Sequence, residues 1–245
     1  ISMNCDAIML FTSDATAVTD VCKKAVAEGI KVYPIATTIN DRDAYTYILG
    51  TDQYATGVGA VEMCADWIEK TFPDAEDGSI EVAVIGNTDS ADSSSRTNGL
   101  LTIEEATSKA KMVEMFDLSG ATDANIKSQE YADMITGKYP NCKAVLCYGV
   151  DSELGTNEVF MRDSTLDREH FGIFGVDTSQ VAYQEIKKSG ENGSLLRGTY
   201  NLGDDLAMNL YQLARGELND LADENGYINT PGAKVTVDNV DDFLE

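Results

Sequence analysis

The sequence predicts an α/β fold of two Rossmann-like lobes, each a parallel sheet flanked by helices. Short apolar runs typical of strands alternate with segments of helical periodicity along the whole chain. This alternation is typical of parallel sheets covered by helices. A connector rich in Pro, Gly and acidic residues at 72–79 divides the elements into two series. A chain of 245 residues is long enough for two such lobes.

The first series opens with an apolar strand at residues 6–11. Residues 12–16 supply turn and N-cap side chains, apolar positions then recur at helical spacing, and Glu28 and Gly29 end the helix. The remaining elements of this series are strands at 31–36 and 48–50 and a helix at 54–70. These runs predict a β-α-β-β-α order for the first lobe.

The second series repeats the same rhythm, with short apolar strands and longer segments whose apolar residues recur every three to four positions. In order, strands are predicted at 80–85, 112–116, 144–147, 171–176, 195–200 and 234–237, and helices at 97–110, 125–136, 153–161, 181–188 and 204–214. No short tandem repeat interrupts this order.

The charge balance excludes several classes of partner. The chain carries 42 acidic and 18 basic residues, a formal net charge of −24. A field of this sign repels phosphate backbones and anionic lipid surfaces, so we expect no nucleic acid partner. No apolar run reaches the ~18 residues of a membrane-spanning helix. We therefore expect a protein that does not span the membrane.

The cysteine and histidine content argues against a metal site. There are five cysteines and one histidine, with no C-x-x-C pair, whereas zinc sites need clustered Cys and His ligands. Buried free thiols are the expected state, with a single disulfide as the alternative. The sequence also lacks the G-x-S-x-G, Walker A, H-E-x-x-H and G-x-G-x-x-G motifs. We expect no cofactor, no metal and no enzymatic activity.

Candidate binding residues follow the predicted strands, because ligands of open α/β sheets bind beyond the carboxyl ends of the strands. At these ends stand Phe11, Ser13, Thr37, the Ser90–Arg96 stretch with Asp92, Asp177 and Asn201. Carboxylates, a guanidinium and hydroxyls suit a neutral polyhydroxylated ligand, whose hydroxyls both donate and accept hydrogen bonds.

A purely structural role is the alternative for several of these residues. Asp14, Ser90 and Ser93 are of the types that cap helix N-termini, and capping is the favoured interpretation for them. Asp177 fits equally well as the cap of helix 181–188. Arg96 stands at the predicted opening of a helix, where the dipole disfavours a cation, so a functional role is favoured there.

Five segments in order resemble the type I periplasmic binding proteins of sugar ABC transporters, the ribose- and galactose-binding group. They are CDAIMLFTSDATAV at 5–18, GIKVYPI at 29–35, LGTDQYATG at 49–57, FGVDT at 174–178 and VTVDNVDDFL at 235–244. The resemblance covers essentially the whole chain. The stretch SADSSSR at 90–96 is similar to the segment in which that family binds sugar hydroxyls.

The resemblance implies roles for particular residues. Asp92 and Arg96 stand where the family binds sugar hydroxyls, Asp177 matches its sugar-binding Asp, and Asn201 matches a polar residue at the hinge. Ser90 replaces a family His. Two further positions depart from the family: Ala36 replaces an Asp or Asn ligand, and Gly149 replaces an Asn, with Asp151 close behind.

The resemblance also implies a biological role. It implies an extracytoplasmic receptor, periplasmic or a cell-surface lipoprotein, that captures a monosaccharide or similar polyol between its lobes and delivers it to an ABC permease. The alternative is the effector-binding domain of a LacI-type transcription regulator, which shares the fold.

The expected lobes are residues 1–74 with 203–230 and residues 80–200 with 233–245, joined by hinges near 74–80, 200–203 and 230–233. The family's strand order, 2-1-3-4-5 in each lobe, implies that the first βαβ unit is absent from this chain. The strand at 6–11 would then be an exposed apolar edge. We expect either about 50–60 further residues upstream in the natural polypeptide or pairing of this strand with a second molecule.

Overall fold

The structure of the protein is a computed structural model that describes all residues except 4, 13, 36–38, 178, 203–205, 231 and 245. The chain forms two compact units. Unit 1 comprises Ile1–Asp52 and Gly203–Pro231, and unit 2 comprises Gln53–Leu202 and Gly232–Glu245.

The described residues form strands and helices in alternation. The strands are β1 Ala7–Leu10, β2 Lys31–Pro34, β3 Ile48–Gly50, β4 Ile80–Gly86, β5 Ala110–Asp117, β6 Cys142–Cys147, β7 Gly172–Val176, β8 Leu196–Asn201, β9 Tyr227–Asn229 and β10 Ala233–Thr236. The helices are α1 Ala15–Ala27, α2 Gln53–Thr71, α3 Ala91–Leu100, α4 Ile103–Ala106, α5 Ala124–Lys138, α6 Val150–Arg162, α7 Gln180–Ser189 and α8 Leu206–Ala214. The predicted α/β class is confirmed.

Unit 1 is built on parallel strand pairs. Strands β1 and β2 pair in parallel, β3 and β9 do the same, and a bridge from Ile35 to Leu49 links the two pairs. Val32 packs with Cys22 and Ala25 of α1, whereas its neighbour Tyr33 packs with Leu213 of α8. The period of two along β2 therefore buries alternate side chains against a helix on each face.

Strand β1 is an edge of unit 1. Among the described residues it pairs with β2 and with no other strand. Met9 in β1 is 44% exposed, and Phe11 just after it is 76% exposed. The strand thus carries large apolar side chains at a sheet edge, where natural proteins usually place charges or Pro.

Unit 2 contains a six-stranded sheet in the order β5-β4-β6-β7-β8-β10. The first five strands are parallel, and β10 is antiparallel to β8. Counted along the chain, the parallel strands run 2-1-3-4-5, so the order implied by the resemblance is confirmed for this unit. The carboxyl ends of β4, β6 and β7 therefore lie side by side.

Alternating residues bury the two faces of this sheet against different helices. Val82, Val84 and Leu146 pack in one cluster with α2, α3 and α4, and the members from these helices are Ala60, Val61, Met63, Cys64, Ala65, Ile68, Leu100 and Ile103. Ala83, Ile85 and Val145 pack in a second cluster with α5, α6 and α7, whose buried members are Ala132, Ile135, Val159, Phe160, Ala182, Tyr183 and Ile186. The result is a three-layer sandwich.

One predicted helix is wrong. The sequence predicts a single helix at 97–110, but α3 begins at Ala91 and ends at Leu100, and α4 is a separate turn. The start is set by Ser90, whose hydroxyl accepts a hydrogen bond from the Ser93 amide. Arg96 is consequently the sixth residue of α3, so the predicted conflict with the helix dipole does not arise. Strand β9 was not predicted.

The compact units and the predicted lobes assign residues 53–74 differently. The prediction places them in the first lobe, whereas α2 lies in unit 2. Helix α2 packs there because Gly57 and Gly99 allow close approach of α2 and α3. A β-carbon at Gly57 would lie 2.2 Å from the Arg96 carbonyl oxygen, and one at Gly99 would lie 2.3 Å from the Tyr54 carbonyl oxygen. The lobes and hinges themselves stay a prediction.

Candidate functional site

The carboxyl ends of β4, β6 and β7 bring three residues of unit 2 together. Tyr148 follows β6 directly, Asp177 follows β7 directly, and Arg96 comes from α3, the helix after β4. The Arg96 side chain is almost completely buried, with the residue 6% exposed. A buried guanidinium requires charged or hydrogen-bonding partners, since an isolated buried charge is very costly.

Arg96 has such partners on three sides. Its Nη1 donates to Asp177 Oδ2 at 2.8 Å and to the Tyr148 carbonyl oxygen at 3.1 Å, and its Nε donates to Gln53 Oε1 at 2.8 Å. Its Cζ lies 4.7 Å from the centroid of the Tyr148 ring, within cation–π range. The remaining nitrogen, Nη2, has no hydrogen-bond partner among the described residues. It is the donor that stays available to a ligand.

Asp177 presents its carboxylate from an uncommon backbone conformation. Its φ is +68°, in the left-handed region that only Gly, Asn and Asp visit at low cost. The side chain is 36% exposed, and its Oδ1 has no hydrogen-bond partner in the described part of the chain. A β-carbon at Gly149 would lie 3.3 Å from Asp177 Oδ2, so a side chain larger than Gly would crowd the carboxylate.

The capping alternative fails for Asp177 and holds for two other residues. The cap of α7 is Ser179, whose side chain accepts from the Ala182 amide. Asp14 accepts from the Ala17 amide at the start of α1, and Ser90 caps α3. Capping therefore accounts for Asp14 and Ser90, and the carboxylate of Asp177 is left to pair with Arg96.

The other predicted site residues lie outside this cluster. Asp92 is exposed on the first turn of α3, and Asp151 is exposed on the first turn of α6. Asn201 is buried and donates from Nδ2 to the Tyr183 hydroxyl at 2.9 Å. Phe11 is exposed in unit 1. Ser13 and Thr37 lie outside the described residues, and the binding roles of all these residues stay predictions.

Two residues that hold Arg96 were not predicted from the sequence. Tyr148 supplies its carbonyl oxygen and ring to Arg96, and its hydroxyl lies 2.9 Å from Ser93 Oγ. It directly follows β6, so the rule that selected Asp177 also points to it. Gln53 is the first residue of α2, and no local pattern in the sequence connects it with a residue 43 positions later.

The cysteines are not paired with each other. All five are free, and Cys22, Cys64, Cys142 and Cys147 are buried. Burial raises the pKa of Cys142 and that of Cys147 to about 12. The expectation of buried free thiols is confirmed for these four, while Cys5 is partly accessible. No group of three or more potential metal ligands occurs among the described residues.

Residues 1–218 match the protein family described as "Periplasmic binding protein domain". The chain belongs to this family, which confirms the resemblance found in the sequence. A search of curated proteins finds no match. None of the described helices is long and apolar enough to cross a membrane.

Solved structures share the fold over nearly the whole chain. A sugar-binding protein of a sugar ABC transporter from Bacillus halodurans aligns with a TM-score of 0.74 at 21% identity, over 99% of this chain and 81% of its own. An arabinose-binding protein from Geobacillus stearothermophilus aligns with a TM-score of 0.73 at 21% identity, over 100% of this chain and 81% of its own. A solute-binding protein from Actinobacillus succinogenes with bound D-allose aligns with a TM-score of 0.75 at 15% identity, over 98% of this chain and 80% of its own.

Proposed function

We propose that the protein is an extracytoplasmic receptor that binds a small neutral sugar at the Arg96–Asp177 pair and delivers it to an ABC permease. The observation that carries this proposal is the pair itself, which leaves Arg96 Nη2 and Asp177 Oδ1 without partners among the described residues. Both side chains are held at the carboxyl ends of parallel strands, where α/β sheets bind ligands. Membership of the periplasmic binding protein family supports it, as do the sugar ligands named for its structural neighbours.

The two open atoms match the chemistry of a sugar hydroxyl. One hydroxyl can accept a hydrogen bond from Nη2, and the same or a neighbouring hydroxyl can donate to Oδ1. Hydrogen bonds to ionised groups are about twice as strong as neutral ones. Asp177 Oδ1 and the net charge of −24 both disfavour an anionic ligand. A neutral pentose or hexose therefore suits this site better than a phosphorylated sugar.

We propose that the protein binds its ligand without catalysing a reaction. The relatives named above are transport binding proteins. The alternative role, the effector-binding domain of a transcription regulator, is not favoured by these comparisons.

A thermal-shift panel tests the proposed function. Pentoses, hexoses, inositols and nucleosides are added to the protein, and a ligand at 100 times its dissociation constant should stabilise it by about 2.7 kcal/mol. Arg96→Ala should abolish the shift, because it removes Nη2 and leaves the Asp177 carboxylate unpaired.

The matched control is Arg162→Ala, which removes an exposed Arg that pairs with Glu158 on α6 and should leave the shift unchanged. The proposal fails if no compound of the panel shifts the melting temperature. It also fails if Arg96→Ala responds to the active compound like the wild type.

A further inference from the structure

A carboxylic acid is buried directly behind Asp177. Glu153 of α6 is completely buried, and it lies against β7 at Gly175, where a β-carbon would be 2.3 Å from Glu153 Oε1. No Lys or Arg in the described part of the chain lies within salt-bridge distance of it. An ionised carboxylate at such a place would be very costly.

Thr199 links Glu153 to the main chain of Asp177. Its Oγ1 lies 2.9 Å from Glu153 Oε1 and 2.5 Å from the carbonyl oxygen of Asp177. Two oxygens at 2.5 Å need a proton between them, since this is the short end of the O–H···O range. The carbonyl of Asp177 can only accept, so the single hydroxyl proton of Thr199 points to Asp177.

This count of protons points to a neutral Glu153. Thr199 donates its only hydroxyl proton to the Asp177 carbonyl. Its contact with Glu153 is therefore a hydrogen bond only if the Glu153 carboxyl donates to Thr199 Oγ1. Glu153 is then the neutral acid, with its proton on Oε1. The other oxygen, Oε2, is buried without a hydrogen-bond partner among the described residues. A carbonyl oxygen tolerates this far better than an ionised oxygen would.

We propose that Glu153, in its protonated form, is a positioning residue that holds Asp177 in its left-handed conformation through Thr199. The chain of donors runs from the Glu153 carboxyl to the Thr199 hydroxyl and from there to the Asp177 carbonyl. When Glu153 ionises, the Thr199 proton turns to the carboxylate, and the Asp177 carbonyl loses its donor. This inference rests on the proposed function only where it extends to ligand affinity.

Two features of the surroundings favour the neutral form of Glu153. Burial raises the pKa of Glu153 well above its usual value, and the negative charge of Asp177 raises it further, whereas a hydrogen bond donated by Thr199 to the ionised carboxylate lowers it. From β6, the thiol of Cys147 faces Glu153 and is neutral near pH 7, because burial raises its pKa to about 12. Arg96 lies beyond Asp177 and pairs with that carboxylate.

The raised pKa sets the sign of the pH dependence. The folded protein holds the Glu153 proton at pH values where the unfolded chain has released it. The stability that this proton contributes is complete below the unfolded pKa, near 4.3, and is lost as the pH rises to the folded pKa. Over that window the folding equilibrium constant should fall by up to about tenfold per pH unit relative to a chain without the group.

Measurements without ligand test whether Glu153 is protonated in the folded protein. Urea unfolding is followed from pH 4.5 to 8.5 for the wild type and for Glu153→Gln, whose amide can still donate to Thr199. The stability of Glu153→Gln relative to wild type should rise with pH, and the wild type should show an infrared carboxylic-acid band that Glu153→Gln lacks. Glu158→Gln, the same change on the exposed side of α6, should run parallel to wild type. The proposal would be overturned if the stability of Glu153→Gln ran parallel to that of the wild type over this pH range and the wild type showed no carboxylic-acid band.

A second ligand-free measurement tests the positioning role. The backbone amide NMR signals of Asp177 and Tyr200, which are joined by an N–H···O bond of 3.1 Å, should titrate with Glu153 in the wild type and stay constant in Glu153→Gln. Thr199→Val should displace these signals at all pH values, whereas Thr199→Ser should restore them. Signals that Thr199→Val leaves in place would overturn the positioning role. Failure of every sugar to bind would leave both readouts intact, and would count against the proposed function alone.

Discussion

The carboxylate of Asp177 accepts a hydrogen bond from Nη1 of Arg96 at 2.8 Å, and it does so from a left-handed backbone with φ +68°. The two partners differ in their surroundings, because Arg96 is almost fully buried while the Asp177 side chain is about one-third exposed. Loss of Asp177 therefore leaves a buried cation without its counter-ion. Loss of the left-handed turn would direct the carboxylate away from Arg96.

Substitution of Asp177 separates the backbone effect from the charge effect. Asp177→Asn keeps a residue type that tolerates the left-handed region, whereas Asp177→Ala adds a backbone cost of about 1 kcal/mol. Both variants should lose measurable sugar affinity by calorimetry, and the Ala variant should be the less stable one in urea.

The control is Asn192→Ala, which also has a positive φ (+57°) but is exposed. It should show the backbone cost alone, with unchanged affinity. Wild-type affinity in both Asp177 variants would contradict the assignment of Asp177 to the site.

The strands can be predicted from the sequence because they depend on short-range periodicity, whereas their order in the sheet followed only from the resemblance to the family. Alternating apolar residues identify the strands, and the rule that ligands bind at strand ends selects Asp177 without any knowledge of its contacts. The position of Arg96 within its helix was not predictable in the same way. Residues 91–95 are polar and small, so they carry no apolar periodicity that would reveal the first turns of α3.

Roles that depend on tertiary contacts could not be predicted from the sequence. Asp177 and Ser179 are both good N-cap residues before the same helix, and only the structure shows that Ser179 is the cap. The protonation of Glu153 in α6 depends on Gly175 of β7 and Thr199 of β8. Neither contact leaves a trace in the local pattern around Glu153.

The crossing of α2 and α3 should depend on the absence of a side chain at Gly99. A β-carbon there would lie 2.3 Å from the Tyr54 carbonyl oxygen, so Gly99→Ala must push the helices apart and should destabilise the protein by about 1–3 kcal/mol. The same substitution at Gly137 in α5 meets nothing within 4 Å and should stabilise by about 0.5–1 kcal/mol. Urea unfolding measures both changes, and equal effects at the two positions would contradict this picture of the crossing.

The buried thiols should be inert in the folded protein. Labelling with a thiol reagent requires a thiolate that the reagent can reach, and burial raises the pKa values of Cys142 and Cys147 to about 12. Of the five cysteines, only the partly accessible Cys5 should react quickly in the native state. All five should react in denaturant without a reducing agent, and fewer would indicate a disulfide.

The exposed edge of β1 should make the 245-residue chain self-associate unless a segment outside it covers that edge. The backbone groups of β1 that face away from β2 have no strand partner among the described residues, and Met9 adds an exposed apolar side chain. Such an edge is a template for a strand from another molecule. Size-exclusion chromatography with light scattering should therefore show a concentration-dependent mass above that of the monomer.

Met9→Lys should reduce this self-association, because a charged residue on an edge strand opposes pairing. Met134→Lys, on helix α5 at a similarly exposed position, should leave the association unchanged. A wild-type chain that stays monomeric and melts cooperatively at all concentrations would mean that this edge does not pair with a second molecule.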